Sequence, residues 1–140
     1  MTTVQGTLTL RTVEGDGLHF DAQFPAGTIA LDSGPHCVAP NPVLHLLASL
    51  AACEGMDVIS LMRKKRQNVS AYDVLMSAER ALEHPRRYTS ITLVHRLTGT
   101  GLSRAAVEDA LRLTVEKYCS VYHCLRPDLK ITNEIELIEG

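Results

Sequence analysis

The chain has 140 residues, enough for a single domain over positions 1–140 with a hydrophobic core of its own. No Trp, two Phe and four Tyr leave that core to Leu, Val, Ile and Ala. A net charge of −2 and the scarcity of aromatic side chains argue against nucleic acid as a partner.

The opening "MTTVQGTLTLRT" has no apolar leader, and Val4, Thr7, Thr9 and Arg11 alternate against Leu8 and Leu10 as in a half-buried strand. "EGDG" at 14–17 turns the chain, "LHFDAQF" at 18–24 alternates as a second strand, and "PAG" at 25–27 breaks it. "TIALDS" at 28–33 completes a three-stranded antiparallel meander. "GPHCVAPNP" at 34–42 is a loop whose Asn41 is placed to cap a helix with Pro42 at its first position. That helix runs to about residue 65 and is apolar around most of its circumference, so burial is expected on more than one side, against a sheet and a second subunit. His45, Ser49, Glu54 and Asp57 interrupt the apolar run, which predicts a core helix of a cytoplasmic protein rather than a membrane span. The basic "RKKRQ" at 63–67 follows directly, where cations suit a helix C-terminus.

Two longer strands are expected at about 70–82 and 87–99, the second setting Ile91, Leu93 and His95 against Thr92, Val94 and Arg96. Ser103 caps a helix from about 104 to 119 with the stripe Val107, Ala110, Leu111, Thr114, Val115 and Tyr118. A short helical turn through "SVYHCLR" ends before Pro127, and "LKITNEIELI" at 129–138 is a last strand. The order βββ-α-ββ-α-(α)-β is an α+β fold.

Four cysteines, Cys37, Cys53, Cys119 and Cys124, are expected as thiols rather than a disulfide framework. Cys53 stands in mid-helix with Asp57 one turn beyond it, and a carboxylate there opposes a thiolate. The helix dipole does not reach that position, so local sequence describes an inert thiol unless a distant cation intervenes. Cys119 lies 66 residues later, and only tertiary structure brings the two together. No C-x-x-C occurs, and the doublets His36–Cys37 and His123–Cys124 have poor chelating spacing, so neither metal nor cofactor is expected. His19, His45 and His95 are read as packed or surface polar groups.

The stretches "NPVLHLLASLAAC" at 41–53, "MDVISLMRKKRQ" at 56–67, "EHPRRYTSITL" at 83–93, "TGTGLS" at 98–103 and "VEKYCSV" at 115–121 together resemble the OsmC/Ohr family of osmotically inducible and organic-hydroperoxide-resistance proteins, in a divergent OsmC-like branch. The resemblance implies an OsmC-like fold with a long buried central helix, in an intertwined homodimer. It implies a peroxidatic role for Cys53 and a resolving role for Cys119, with an organic hydroperoxide as substrate and an external dithiol as reductant. Many peroxidase members of the family set an Arg from the N-terminal strands against the thiolate, held by a Glu just after the "NP" pair. Here that position is Val43, followed by Leu44, and the only arginine before Cys53 is Arg11. A substitute clamp of Arg11 with Asp57 is the expectation that this departure suggests. The alternatives are an OsmC-fold protein that senses redox state or binds small molecules without turnover, and a structural dimer with merely buried cysteines. Cys37 and Cys124 are expected as bystanders.

Overall fold

The computed structural model describes residues 1–140, which fall into two compact units, Met1–Leu47 and Ala48–Gly140. In the first, β1 (Thr7–Leu10), β2 (Phe20–Phe24) and β3 (Gly27–Leu31) form the antiparallel meander that alternation predicts, with Leu10 opposite Phe20 and Phe20 opposite Leu31. The loop after β3 is organised by Asp32, whose carboxylate accepts from the backbone N–H groups of Gly34 and Val38. His19 lies between Asp21 and Asp32, at 3.2 and 3.3 Å, and His45 Nε2 is 2.8 Å from the Ala30 carbonyl. Both histidines therefore hold the local structure, as expected of them.

Helix α1 (Pro42–Lys64) begins in the first unit and continues into the second. Asn41 caps it, its Oδ1 accepting from Leu44 N–H at 2.9 Å, and Pro42 costs nothing at a position without an intrahelical partner. Its end is equally well defined. Arg66 takes a left-handed φ of 55°, and Gln67 N–H reaches back to the Met62 carbonyl. The basic run is thus a helix terminus, and Lys65 binds Asp109 at 2.7 Å.

In the second unit, β4 (Asn68–Arg80) and β5 (Tyr88–Thr100) are antiparallel, while β6 (Lys130–Glu139) joins β5 in parallel. β5 is the central strand, with Ile91, Leu93, His95 and Leu97 buried on one face. Onto that face come Val58 and Met62 of α1 and Val107, Ala110 and Leu111 of α2 (Arg104–Leu113). Ser103 Oγ caps α2 by accepting from Ala106 N–H.

Two expectations about the helices need correction, that polarity alone keeps α1 out of a membrane and that the second helix runs unbroken to residue 119. Within the chain α1 is buried along one stripe only, and Leu44, Leu46 and Met56 on its other faces are exposed. Its most apolar eighteen residues also have a mean hydropathy of 1.4, sufficient in length and composition for a membrane span, so the polar interruptions alone do not exclude one. Glu54, fully buried within the protein, identifies that part of α1 as a core helix instead.

The second correction concerns the helix expected to run to residue 119. α2 ends at Leu113, and a π-helical turn, Thr114–Tyr118, precedes α3 (Ser120–Cys124). Cys119 N–H bonds the Thr114 carbonyl, five residues back, at 2.8 Å. A regular helix that buries Leu111 and Thr114 would next bury residue 118. The wider turn delays the buried position by one residue, so Cys119 is buried and Tyr118 is exposed.

Leu97→Ala would open a cavity where α1, α2 and β5 meet and should cost about 2–5 kcal/mol of unfolding free energy. Chemical denaturation measures this, and a loss below about 1 kcal/mol would remove Leu97 from the centre of the core.

Candidate active site

Cys53 lies midway along α1 and is half-buried, whereas Cys119 is fully buried at the junction of the π-helical turn and α3. The two sulfurs and a carboxylate oxygen of Asp57 lie within 4.8 Å of one another. Helical periodicity supplies the Cys53–Asp57 contact, since residues four apart share a face. The extra residue of the π turn supplies Cys119. All four cysteines are free thiols, with Cys37 and Cys124 exposed.

The site is acidic in character. Burial pushes the Cys119 thiol up to about 12, opposed by the Tyr122 N–H 3.4 Å from its sulfur and reinforced by Cys53 and Glu54. Burial also raises the Asp57 carboxyl above its usual range, and its Oδ2 is buried without a hydrogen-bond partner. Arg11, the cation expected to compensate Asp57, holds Asp21 of β2 within the first unit through two hydrogen bonds of 3.1 and 3.2 Å.

Directly beside Cys53, Glu54 belongs to the buried stripe of α1. Its Oε1 lies 3.4 Å from His95 Nε2, and both side chains are fully buried. His95 Nε2 is closer to Asn133 Oδ1, at 3.0 Å, and Nδ1 shares a hydrogen bond of 2.6 Å with Tyr72 Oη. The Glu54–His95 contact is therefore electrostatic, and neither Glu54 oxygen has a hydrogen-bond donor aimed at it. Burial, with Glu54 adding to it, holds the Tyr72 phenol well above its ordinary range, so it stays a hydroxyl.

Sequence reasoning read His95 as a packing residue and missed its partner. The signal lay in the two periodicities taken together. Glu54 falls on the buried helical stripe, and His95 falls on the buried face of a strand whose other members are Ile91, Leu93 and Leu97. An apolar groove of about 420 Å³ crosses the other side of α1, lined by Ala48, Ala52, Gly55 and Met56 with Val74 and Met76 of β4. Cys53 does not line it.

The family model described as "OsmC-like protein" matches residues 33–134. Protein YhfA of Escherichia coli K12 is 36% identical over 124 residues, covering 88% of this chain and 92% of that protein. A hypothetical protein from Aquifex aeolicus VF5 superposes with a TM-score of 0.87 at 26% identity, over 100% of this chain and 99% of that one. The fold is also that of an organic hydroperoxide resistance protein OsmC from Legionella pneumophila, with a TM-score of 0.64 at 15% identity and coverage of 97% and 98%.

His95→Leu would strand the Glu54 carboxyl in the core and should cost about 3–5 kcal/mol, whereas Glu54→Leu with His95→Leu should recover most of that loss. A double-mutant cycle by denaturant unfolding measures the coupling, and additive losses would dissolve the pair. Asp57→Asn should behave oppositely. The raised carboxyl costs stability once the pH exceeds 3.8, where the unfolded chain ionises first. The Asn variant should melt higher than wild type at pH 7, with the difference vanishing below pH 3.8; a constant difference would refute the shift.

Proposed function

The chain belongs to the OsmC-like family, and from that premise we propose that it is a thiol-dependent peroxidase reducing organic hydroperoxides. The observation that carries this is the meeting of two free thiols, 66 residues apart in sequence, within 4.8 Å of each other beside a buried carboxyl. Cys53, the more accessible of the two, attacks the terminal peroxide oxygen as thiolate. The O–O bond breaks, the alcohol leaves, and Cys53 becomes a sulfenic acid. Asp57, kept in its acid form more than an ordinary carboxyl, is placed to give the departing alkoxide its proton. Cys119 then attacks the sulfenic sulfur, water leaves, and an external dithiol reduces the disulfide.

A raised Cys119 makes the second step the slow one near neutrality. Its thiolate fraction grows about tenfold per pH unit below its pKa, so disulfide formation accelerates with pH by the same factor. The uncovered apolar side chains of α1, together with Leu75 and Met76 of β4, support a homodimer, and sedimentation should give twice the chain mass of 15.3 kDa. A sedimenting monomer would leave those faces unexplained.

The test is consumption of cumene hydroperoxide by the reduced protein, beside Cys53→Ser and Cys119→Ser. Wild type should consume one equivalent and lose two thiols, Cys53→Ser should consume none, and Cys119→Ser should stop at a sulfenic acid. A dimedone-type reagent should label wild-type Cys53 at pH 7 and progressively less toward pH 9. A reactive Cys53 without turnover would instead favour redox sensing or capture of small electrophiles, the reading supported by the uncompensated Asp57.

A further inference from the structure

We propose that Cys53, Asp57 and Cys119 form a zinc site in the reduced protein. The expectation of no metal rested on local spacing, and none of the cysteine doublets has the spacing of a chelate. Tertiary structure assembles a different set. Cys53 Sγ, Cys119 Sγ and an Asp57 oxygen, from α1 and from the end of the π-helical turn, lie mutually within 4.8 Å. Around a tetrahedral zinc two thiolates stand about 3.8 Å apart, given Zn–S bonds of about 2.3 Å. Side-chain rotations of about 1 Å close the difference. Three protein ligands leave the fourth corner to water, on the half-buried side of Cys53.

The independent pointer is Asp57 itself. Its Oδ2 is buried and has no hydrogen-bond donor, a state that costs free energy unless something fills it. Glu54, the next carboxyl along the helix, approaches His95 Nε2 at 3.4 Å instead. A divalent cation supplies what the site lacks. Two thiolates and one carboxylate suit zinc better than the hard cations, which prefer oxygen ligands throughout. Binding balances simply: Zn²⁺ replaces the protons of both thiols, and that of the Asp57 carboxyl where it carries one, all of which leave to solvent as the three groups ligate as anions.

The consequence for reactivity rests on the peroxidase reading, whereas binding does not. Zinc occupying both sulfurs removes the free nucleophile and suppresses peroxide attack. Oxidation of the dithiol by a hydroperoxide gives the disulfide, alcohol and water, and a disulfide has no thiolate with which to hold the metal. Metal occupancy and oxidation state are thereby mutually exclusive.

The experiment uses the full-length reduced protein without peroxide, titrated with Zn²⁺ against a chromophoric chelator and separately with Co²⁺. The expected result is one ion per chain, and Co²⁺ absorption with tetrahedral d–d intensity and sulfur-to-cobalt charge transfer. Cys53→Ser and Cys119→Ser should each weaken binding at least 100-fold and Asp57→Asn about tenfold, while Cys37→Ser with Cys124→Ser should change nothing. In wild type, saturating Zn²⁺ should protect Cys53 and Cys119 from alkylation and leave Cys37 and Cys124 modified, a readout that stands even if a site variant folds poorly. Equal affinity in wild type and Cys53→Ser, or loss confined to the Cys37 and Cys124 variant, would overturn the site as adventitious surface binding. Zinc binding without peroxide turnover would remove only the peroxidase reading, and turnover without zinc binding would remove only this one.

Discussion

A carboxyl group on the buried stripe of a helix must find a partner in the core, and Glu54 finds His95. That requirement reaches through the second unit. His95 occupies the inward face of the central strand between Leu93 and Leu97, and its two ring nitrogens are held by Tyr72 from β4 and Asn133 from β6. All three strands of the sheet and α1 thus meet at one polar cluster inside an otherwise apolar core. Hydrophobic burial alone would tolerate α1 sliding along the sheet, since Leu, Val and Met contacts are non-directional. The 3.4 Å approach of Glu54 Oε1 to His95 Nε2 belongs to one register of α1 on the sheet, because sliding would carry the buried carboxyl away from the imidazole and onto apolar side chains. Cys53 is the residue next to Glu54, so this pairing also fixes the height at which the thiol sits.

The second thiol is set by a backbone device. The π turn adds one residue to the helix between Thr114 and Cys119, and the Cys119 sulfur comes to the buried side where a tyrosine would otherwise have lain. Placing a thiol there removes it from water without offering it a cation. Burial holds the Cys119 thiol and the Asp57 carboxyl above their ordinary ranges in one small volume. The local chemistry therefore favours bound protons. A thiol kept in its protonated form is protected from adventitious oxidation, and it becomes a nucleophile only when a proton acceptor takes that proton.

The order of elements was legible in the sequence because each depends on local rules. Alternation marked β2 and β5, Asn41 and Ser103 marked the helix starts, and the basic run marked the end of α1. The parallel pairing of β6 with β5 was not legible, since Lys130–Glu139 carries the same alternation whichever neighbour it joins. Neither was the π turn. "TVEKY" has no residue whose chemistry demands a hydrogen bond five residues back, and a regular helical stripe ending at Tyr118 fits its pattern as well. Within the site, Cys53 and Cys119 were legible through family resemblance, and Asp57 through helical spacing. Arg11, one residue past β1, binds Asp21 of β2, a local pairing within the first unit that spacing in the sequence did not reveal.

The uncompensated Asp57 is the point at which this chain departs physically from a thiolate held by an arginine. An arginine fixed beside a thiol gives permanent activation: its charge is present at every accessible pH and cannot be withdrawn. A site whose positive charge must come from outside is conditional, because its nucleophile strengthens when protons leave and is blocked when a soft cation arrives. The geometry brings two sulfurs and a carboxyl oxygen into one small volume. On the two readings proposed above, the same three side chains would serve either as a reactive pair with its proton donor or as the ligands of a metal, and what occupies the space between them would decide which.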